Sequence, residues 1–408
     1  MTDLLGEVLE QFTGGPVDFL GPPSQGGFTH SNIGAPAVVS WDESRGAIAR
    51  LFREGYSHFH RFLVLPSRDA IRWLLPLSDV GKQLPGFQIY TPYFPLARVA
   101  KALTVSILAR WRGWPYHRVL VVSKAALPLE VLVSEVTGEH QPVFALSVGT
   151  PNRVRKLSML VMRPNGEVLG HIKLPLTEAA TNRVRHEAAT LERLWNFAAL
   201  RLHIPKVLHA GNWGDAYILF QSCGPSQPGP VEFGPLHQRF LETLRALQPV
   251  ERPGQVLVEE VAAHWRKAQP SLGSRWQELG AVALERANRA LAGVAVRCGV
   301  MHGDFTPWNS RTGNGRLFLF DWESAEWQAP GGWDIFHFQT QVASSLKRRV
   351  QCGLPADQSS SERAIFLLYL LNSACQIVEE APRGDIGLDC RRRLVIDELS
   401  RERDSCLS

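Results

Sequence analysis

The sequence predicts an α+β protein in which a small antiparallel sheet precedes a mainly helical region, with an additional α/β region in front of both. Three observations lead to this prediction. Strand-like runs separated by turns fill residues 140–174, helix-period apolar patterns dominate residues 231–408, and the first 135 residues mix both patterns. We therefore divide the chain into residues 1–135, 136–222 and 223–408.

Composition narrows the class of protein. The chain has 408 residues, of which 45% are apolar and 20% charged, and these values exclude a collagen-like, coiled-coil or fully disordered protein. No apolar run is long enough to span a membrane, and the first residues do not resemble a secretory signal. The six cysteines are scattered without a CxxC pair, which argues against a disulfide framework or a zinc ribbon. We expect a cytoplasmic protein.

Residues 1–135 contain helix and strand patterns but no recognisable catalytic constellation. The stretch between Gly14 and Gly27 is rich in Gly and Pro, so we expect the opening of the chain to be loop-like. The predicted elements that follow are a helix near 45–52, a strand at 62–65, a helix at 95–111 and a strand at 118–123. The role of this region stays open, and recruiting a protein partner is one candidate.

Residues 136–222 read as a small α+β lobe. Three strands are predicted, and the turn chemistry of Arg163-Pro164-Asn165-Gly166 separates the second from the third. A helix and a fourth strand follow before a Gly/Pro-rich break. The predicted bounds are 142–148, 157–162, 168–174, 178–200 and 216–220.

Residues 223–408 are predicted to be mainly helical, with one non-helical insert at 300–333. The predicted helices are 236–247, 255–268, 275–297, 360–380 and 391–401. The Gly313-Asn314-Gly315 turn between apolar runs predicts a hairpin within the insert.

The insert carries the polar residues of a candidate metal site. The hairpin would place Asp304 and Asn309 on the loop after one strand and Asp321 at the end of its neighbour, so that two carboxylates and an amide oxygen meet at one end of a short sheet. Oxygen ligands of this kind suit Mg²⁺, which usually takes one or two carboxylates together with substrate phosphates. A carboxylate left off the metal could accept a proton from an attacking hydroxyl.

A compact basic segment lies upstream of the insert. Residues 151–206 hold ten Lys or Arg and four Asp or Glu, whereas the whole chain carries a net charge of only +5. Such a segment is either a solvated helix face or a surface that faces a polyanion, such as nucleotide phosphates or nucleic acid.

The insert resembles a known family. Its motif residues are His302-Gly303-Asp304, Asn309 and Asp321-Trp322-Glu323. This pattern is similar to that of the aminoglycoside phosphotransferase and choline kinase superfamily over about residues 140–380. The resemblance implies a protein-kinase-like bilobal fold, ATP or GTP with Mg²⁺ as cofactors, and transfer of the γ-phosphoryl group to a hydroxyl of a small metabolite, sugar or antibiotic. It assigns Asp304 as the base and Asn309 and Asp321 as metal ligands.

The upstream lobe offers the cation that a kinase-like fold needs for the nucleotide phosphates. Lys173 lies on the third predicted strand of this lobe and is the candidate. Glu187 falls on the apolar stripe of the following helix and is therefore expected to face inward and pair with Lys173, because a buried carboxylate needs a partner. Glu192 lies about 140° around the helix and is expected to face solvent.

The remaining nucleotide contacts are predicted from the resemblance. The turn between the first two strands would cover the phosphates through Ser147, Gly149 and Thr150, although it has only one glycine. The adenine would lie at the lobe connection, beside Ser222 and Cys223.

Three further residues of the insert and the segment after it have expected roles. His302 is expected to be a packed support and Asp334 to brace the catalytic loop. Thr306 stands where protein kinases acting on Ser or Thr carry a Lys, and this difference favours a small-molecule kinase.

Two other function classes remain open on the sequence. One is a catalytically inactive, kinase-like binding or scaffold protein whose N-terminal region carries the function. The other is nucleic-acid binding through the basic segment, which is weaker because no nucleic-acid-binding module is recognisable. For the kinase, the expected partners are a nucleotide and a small hydroxylated substrate, with no nucleic acid. The identity of that substrate and the oligomeric state stay undetermined.

Overall fold

The computed structural model describes residues 4–20, 37–41, 44–67, 70–77, 84–110, 117–149, 152–214, 216–346, 354, 357–380 and 386–405. The chain divides into two compact units: the first comprises residues 1–188 and 206–223, and the second comprises residues 189–205 and 224–408. The first unit is built around a large sheet and the second is mainly helical. The predicted α+β class is therefore confirmed.

The described part of the first unit forms a ten-stranded sheet in the order β1-β2-β5-β3-β4-β6-β7-β8-β10-β9. All neighbours in it are antiparallel except β1 and β2. Its strands are β1 (Val17–Leu20), β2 (Ala37–Ser40), β3 (His58–Leu65), β4 (Trp73–Pro76), β5 (Arg118–Ser123), β6 (Val143–Val148), β7 (Lys156–Met162), β8 (Val168–Pro175), β9 (Val207–Trp213) and β10 (Ala216–Gln221).

The sheet continues across the boundary predicted near residue 135. Strand β4 pairs with β6 through Trp73 opposite Ser147 and Leu74 opposite Leu146. This pairing covers an edge of β6 that would otherwise present unpaired backbone groups. Residues 1–135 and the lobe that follows therefore share one sheet and lie in one compact unit, where the sequence predicts two regions.

Helices cover both faces of this sheet. They are α1 (Leu4–Thr13), α2 (Arg45–Arg53), α3 (Pro95–Arg110), α4 (Pro128–Thr137) and the first part of α5 (Glu178–Trp195). Helix α1 buries Leu5, Val8, Leu9 and Phe12, which recur at helical spacing, in a core that also contains Ile172 of β8. Helix α3 and the short 3-10 helix Pro85–Ile89 belong to a second, separate hydrophobic cluster of the unit.

The second unit packs long helices around two small sheets. The helices are α6 (Pro235–Arg245), α7 (Gly254–Ala268), α8 (Ser274–Ala290), α9 (Trp333–Leu346), α10 (Ser360–Glu380) and α11 (Ile386–Ser405). The strands are β11 (Gln227–Pro228), β12 (Val250–Pro253), β13 (Ala295–Met301), β14 (Ser310–Gly313), β15 (Arg316–Leu319) and β16 (Glu326–Pro330). One sheet has the order β11-β14-β15 and the other β12-β13-β16.

The predicted hairpin is confirmed, but the sheet assignment is wrong. Strands β14 and β15 pair around the Asn314-Gly315 turn. Asp304 follows β13, which belongs to the other sheet, so the polar residues do not share one sheet edge. The predicted helix 275–297 was also too long: α8 ends at Ala290, Gly293 adopts a left-handed φ of 69°, and the chain then enters β13.

Candidate active site

The predicted catalytic loop connects β13 to β14. Its entry is fixed by Gly303, whose φ of 84° is a conformation that favours glycine. A Cβ atom at this position would lie 2.0 Å from the backbone oxygen of Ser324. Position 303 therefore requires glycine for two independent reasons, which are its left-handed φ and the lack of space for a Cβ atom. The turn at Gly303 fixes the position of the backbone of the next residue, Asp304.

Asp334 holds this loop from the first turn of α9. Its Oδ2 accepts the backbone N–H of His302 at 2.9 Å, and its Oδ1 accepts that of Gly303 at 3.1 Å. Asp334 is buried, and burial raises its pKa above the usual value although both amide donors act in the opposite direction. The expected bracing role agrees with these contacts.

His302 is a buried support of the same loop. Its Nδ1 accepts the backbone N–H of Asp304 at 3.2 Å, so Nε2 carries the proton and donates to the carbonyl oxygen of Phe320 at 3.1 Å. Its ring also contacts the buried ring of Trp322, with 4.5 Å between centroids. Burial lowers the pKa of His302, although nearby carboxylates act to raise it. The lowered pKa keeps the imidazole neutral.

Asp304 is held by a donor on each carboxylate oxygen. His337 Nε2 lies 3.0 Å from Oδ1, and Asn309 Nδ2 donates to Oδ2 at 2.7 Å. Desolvation alone would raise the pKa of Asp304, but the hydrogen bond and charge of His337 lower it below its usual value. The side chain still has 36% of its surface exposed. The group is therefore an oriented, ionised carboxylate that a substrate can reach.

His337 was missed by the sequence analysis. It lies on α9 three residues after Asp334, so both side chains project from the same side of the helix toward the loop. Its Nδ1 lies 3.5 Å from the Tyr369 hydroxyl, which in turn lies 2.7 Å from the Thr340 hydroxyl. The signal that could have found it is this helical spacing from an aspartate already expected to contact the loop.

The carboxylates of Asp321 and Glu323, which follow β15, are oxygen ligands that suit a hard cation. Asp321 has a left-handed φ of 72°, and its carboxylate lies with that of Glu323 in a group whose oxygens are within 4.8 Å of one another. The charge of Asp321 acts to raise the pKa of Asp304. Both hydrogen bonds of the Asn309 side chain use Nδ2, which leaves Oδ1 as a ligand. The neighbouring carboxylates of Asp321 and Glu323 fit Mg²⁺, because a divalent cation relieves their mutual repulsion.

Lys173 and Glu187 form a buried ion pair within the first unit. Lys173 Nζ lies 2.6 Å from both carboxylate oxygens of Glu187, and the two residues are 5% and 0% exposed. The predicted pairing is present, with Lys173 on β8 and Glu187 on the buried side of α5. A cation fixed in this way is suited to phosphate oxygens, because its position does not depend on a mobile side chain.

Part of the turn that is predicted to cover the phosphates lies within the described residues. Ser147 lies within β6, paired on both sides by β4 and β7, rather than in a loop. The Gly149 N–H donates to the carbonyl of Lys156 at 3.1 Å, so this amide is already used. Thr150 lies outside the described residues.

The predicted adenine contacts follow β10. Ser222 exchanges hydrogen bonds with the backbone of Lys206, both at 2.9 Å, and thereby ties the end of β10 to the start of β9. Cys223 packs, half-buried, against the cluster that contains α3. The structure thus brings Asp304, Asn309 and Asp321 together in the second unit, and Lys173 with Glu187 in the first.

Residues 160–331 match the model of the phosphotransferase enzyme family. The matched segment contains all five of these polar residues. The resemblance that the sequence indicates is therefore confirmed over this segment. A comparison with curated proteins gives no match.

Several solved structures align with about two thirds of the chain. The crystal structure of aminoglycoside phosphotransferase APH(4)-Ia aligns over 67% of this chain and 98% of its own, with 14% identity and a TM-score of 0.45. A thermostable mutant of the same enzyme was solved as a ternary complex with ADP and hygromycin B. Choline kinase LicA from Streptococcus pneumoniae aligns over 67% of this chain and 97% of its own, with 18% identity and a TM-score of 0.42.

Proposed function

We propose that the protein is a small-molecule kinase that transfers the γ-phosphoryl group of ATP or GTP to a hydroxyl group. The observation that carries the proposal is the doubly held carboxylate of Asp304, with His337 on one oxygen and Asn309 on the other. A solvated loop aspartate does not need this support, whereas a group that must meet a substrate hydroxyl does. The family match over residues 160–331 supports the same reaction class.

Asp304 is the proposed base. The substrate oxygen attacks the γ-phosphorus, the bond from that phosphorus to the bridging oxygen of the nucleoside diphosphate breaks, and the hydroxyl proton passes to the Asp304 carboxylate. A low pKa makes Asp304 a weak base, which suits a loose transition state in which the proton leaves late. Orienting the hydroxyl is then the larger part of its contribution.

The proposed metal ligands are Asn309 and Asp321, with Glu323 as a neighbouring oxygen donor. Bound Mg²⁺ would neutralise charge on the phosphate oxygens. Asn309 has two tasks in this scheme, because its Nδ2 orients Asp304 while its Oδ1 is left for the cation.

Lys173 is the proposed ligand of the α- and β-phosphates, and Glu187 holds its ammonium group in place. Ser222 and Cys223 are retained as proposed neighbours of the adenine, and Ser147, Gly149 and Thr150 as the proposed phosphate cover. The last three are the weaker part of the scheme, because Ser147 is inside a strand and the Gly149 amide already has an acceptor.

The acceptor belongs to the class of small hydroxylated molecules, which includes sugars, other metabolites and antibiotics. Thr306, which follows Asp304 by two residues, is a neutral and buried side chain, so this position supplies no cation to the transferred phosphoryl group. Screening hydroxylated compounds for stimulated release of ADP or GDP would identify the acceptor.

Asp304→Asn is the direct test of the proposed function. We expect turnover with the identified acceptor to fall about 100- to 10,000-fold, because an amide cannot take the proton. Magnesium-dependent thermal stabilisation by nucleotide should be retained, since the variant leaves Lys173 and Asp321 in place. Asp357→Asn, an exposed aspartate of the second unit, serves as the matched control and should behave like the wild type.

Two outcomes would contradict the proposal. Near-normal turnover of Asp304→Asn would exclude the base role. If no nucleotide stabilises the wild-type protein with magnesium, the scaffold alternative would replace the kinase.

A further inference from the structure

A row of buried polar side chains continues from Asp304 into the core of the second unit. His337 contacts Asp304 through Nε2, and its other ring nitrogen, Nδ1, lies 3.5 Å from the Tyr369 hydroxyl. That hydroxyl lies 2.7 Å from the hydroxyl of Thr340. His337 and Thr340 belong to α9, Tyr369 belongs to α10, and all three side chains are buried. The directions of the hydrogen bonds in this row determine where its protons lie.

The hydroxyl proton of Thr340 has a fixed direction. Thr340 Oγ1 lies 2.8 Å from the carbonyl oxygen of Phe336 and 3.1 Å from that of His337. A carbonyl oxygen can only accept, so the single proton of Thr340 points to one of these two oxygens. If it pointed to Tyr369 instead, the Thr340 oxygen would face both carbonyl oxygens with lone pairs at short distances. Thr340 therefore accepts the proton of the Tyr369 hydroxyl.

This direction sets the protonation of His337. The one proton of the Tyr369 hydroxyl is used on Thr340, so the Tyr369 oxygen turns a lone pair toward His337 Nδ1. A ring nitrogen without a proton would be repelled by this lone pair, so Nδ1 carries a proton. Nε2 carries one as well, because it faces the carboxylate of Asp304 at 3.0 Å. An imidazole with a proton on both nitrogens is a cation.

We propose that Tyr369 and Thr340 hold His337 as an imidazolium ion paired with Asp304, and that both are positioning residues of the site. Tyr369 accepts the Nδ1 proton, and Thr340 prevents Tyr369 from donating instead. The ion pair orients the carboxylate more firmly than a neutral hydrogen bond does, because charge-assisted hydrogen bonds are roughly twice as strong. The catalytic meaning of the pair rests on the proposed function, whereas the charge of His337 does not.

The Tyr369 hydroxyl is held in place by the packing of its ring. The ring centroid lies 5.8 Å from that of Phe336, 6.2 Å from that of Trp333 and 6.4 Å from that of Phe366. The side chain is 4% exposed. Because these rings fix the phenol, its oxygen stays beside His337 and only the direction of its proton is free to change.

A second carboxylate suits a cation at His337. Asp334 lies one helical turn before His337 on α9. Burial raises the pKa of Asp334, and a positive charge on His337 acts in the opposite direction. An imidazolium therefore lowers the cost of keeping two carboxylates, Asp304 and Asp334, ionised in the same part of the molecule.

Nitrogen-15 NMR of the full chain with labelled histidine rings tests the charge without nucleotide or acceptor. The signals of His337 are those that are missing from His337→Gln. We expect both of its ring nitrogens to show the chemical shift of a protonated nitrogen at pH 7, where a histidine with the usual pKa of about 6.5 is mostly neutral. Failure of the kinase proposal would leave this result unchanged.

Thr340→Val is the most direct variant, because valine has the shape of threonine but no hydroxyl. The proton of Tyr369 then turns to Nδ1, so we expect His337 to become neutral with its proton on Nε2. Thr340→Ser keeps the hydroxyl and should keep the imidazolium. The matched control is Thr243→Val, which removes a hydroxyl that donates to the Arg239 carbonyl on α6 at 2.9 Å. This control should leave the His337 signals as in the wild type.

Steady-state kinetics with the identified acceptor tests the positioning role. We expect Thr340→Val and Tyr369→Phe to lower kcat about 3- to 10-fold, the worth of one hydrogen bond, while KM for the nucleotide stays as in the wild type. Thr340→Ser should recover the rate. A merely structural role would change stability without this difference between kcat and KM.

Three results would overturn the proposal. They are a wild-type His337 with only one protonated ring nitrogen at pH 7, an unchanged imidazolium in Thr340→Val, and the same His337 signals in Thr340→Val and Thr340→Ser. If Thr340→Val melts early, Tyr369→Phe gives the same test, because it removes the acceptor of the Nδ1 proton. His337 should then be neutral, and an imidazolium in Tyr369→Phe would also contradict the proposal.

Discussion

His337 Nε2 lies 3.0 Å from Asp304 Oδ1, so the proposed base is held from a helix that begins 29 residues after it in the chain. Because Nε2 faces a carboxylate, this nitrogen carries a proton and Nδ1 faces the Tyr369 hydroxyl. The carboxylate thus has a fixed orientation before any substrate arrives, and His337 is a positioning residue of the proposed site.

Replacing His337 should separate positioning from binding. We expect His337→Ala to lower kcat about 10- to 100-fold, the worth of a charge-assisted hydrogen bond, with little change in KM for the nucleotide. His337→Gln should recover much of the loss, because its amide can still donate toward Asp304. Steady-state kinetics with the identified acceptor measures both, and equal activity of all three proteins would exclude the role.

Replacing Asp334, which braces the catalytic loop, should lower both the free energy of unfolding and the turnover. Asp334→Ala leaves the buried N–H groups of His302 and Gly303 without their acceptor, so we expect the free energy of unfolding to fall by about 2–4 kcal/mol. Urea titration gives this value. Asp389→Ala breaks only an exposed pair with Arg392 and should change it by less than about 1 kcal/mol. Similar effects of the two substitutions would contradict the bracing role.

The buried ion pair should link nucleotide affinity to stability. In Glu187→Gln the negative charge of Glu187 beside the buried Lys173 ammonium is removed, so we expect a loss of about 1–3 kcal/mol in the free energy of unfolding and weaker nucleotide binding. Glu192→Gln changes an exposed residue of the same helix and should leave both unchanged. Calorimetric titration with a non-hydrolysable nucleotide checks the binding, and unchanged affinity in Glu187→Gln would remove Lys173 from the proposed site.

The entry of the catalytic loop offers a test of backbone geometry. Gly303→Ala must adopt a left-handed φ and also places Cβ against Ser324, so we expect a loss of about 2 kcal/mol or more in stability together with lost turnover. Gly315→Ala has a similar φ of 70° but open space around its Cβ, so its cost should be about 1 kcal/mol, without loss of turnover. Unfolding both variants with denaturant gives their free energies of unfolding. The cost shared by both variants is that of the left-handed φ, and the additional cost in Gly303→Ala is that of the clash with Ser324.

His237 should make the protein sensitive to acid. Burial lowers its pKa to about 4, and its Nδ1 accepts the backbone N–H of Gly234 at 3.1 Å. The folded state therefore binds fewer protons than the unfolded state between pH 6.5 and 4, so this contribution to stability is complete above that window and lost as the pH falls through it. We expect a loss of about 3 kcal/mol from this residue.

His237→Asn keeps an acceptor near the Gly234 amide but has no titrating group. Its unfolding free energy should be lower than that of the wild type at neutral pH and should fall less between pH 7 and 4. The same slope in both proteins would show that His237 does not cause the acid sensitivity.

Local patterns in the sequence were enough for much of the candidate site. The spacing of Asp304, Asn309 and Asp321, and the Asn-Gly turn of the hairpin, are set within short windows of chain. The inward stripe of α5 likewise predicted the pairing of Glu187 with Lys173. The sequence analysis did not predict helix α1, although Leu5, Val8, Leu9 and Phe12 recur at helical spacing. The reason is that the Gly- and Pro-rich stretch after this helix indicated a loop for the whole first part of the chain.

The sequence by itself determined which groups can do chemistry, because turn residues, apolar periodicity and motif spacing act between near neighbours in the chain. Only the tertiary structure decided that β4 pairs with β6 and that His337 reaches Asp304. Each of these depends on which edges and faces meet after distant segments have packed. Many strands and helices have apolar patterns that would allow them to pair with one another, and the packing of the core selects one of these arrangements.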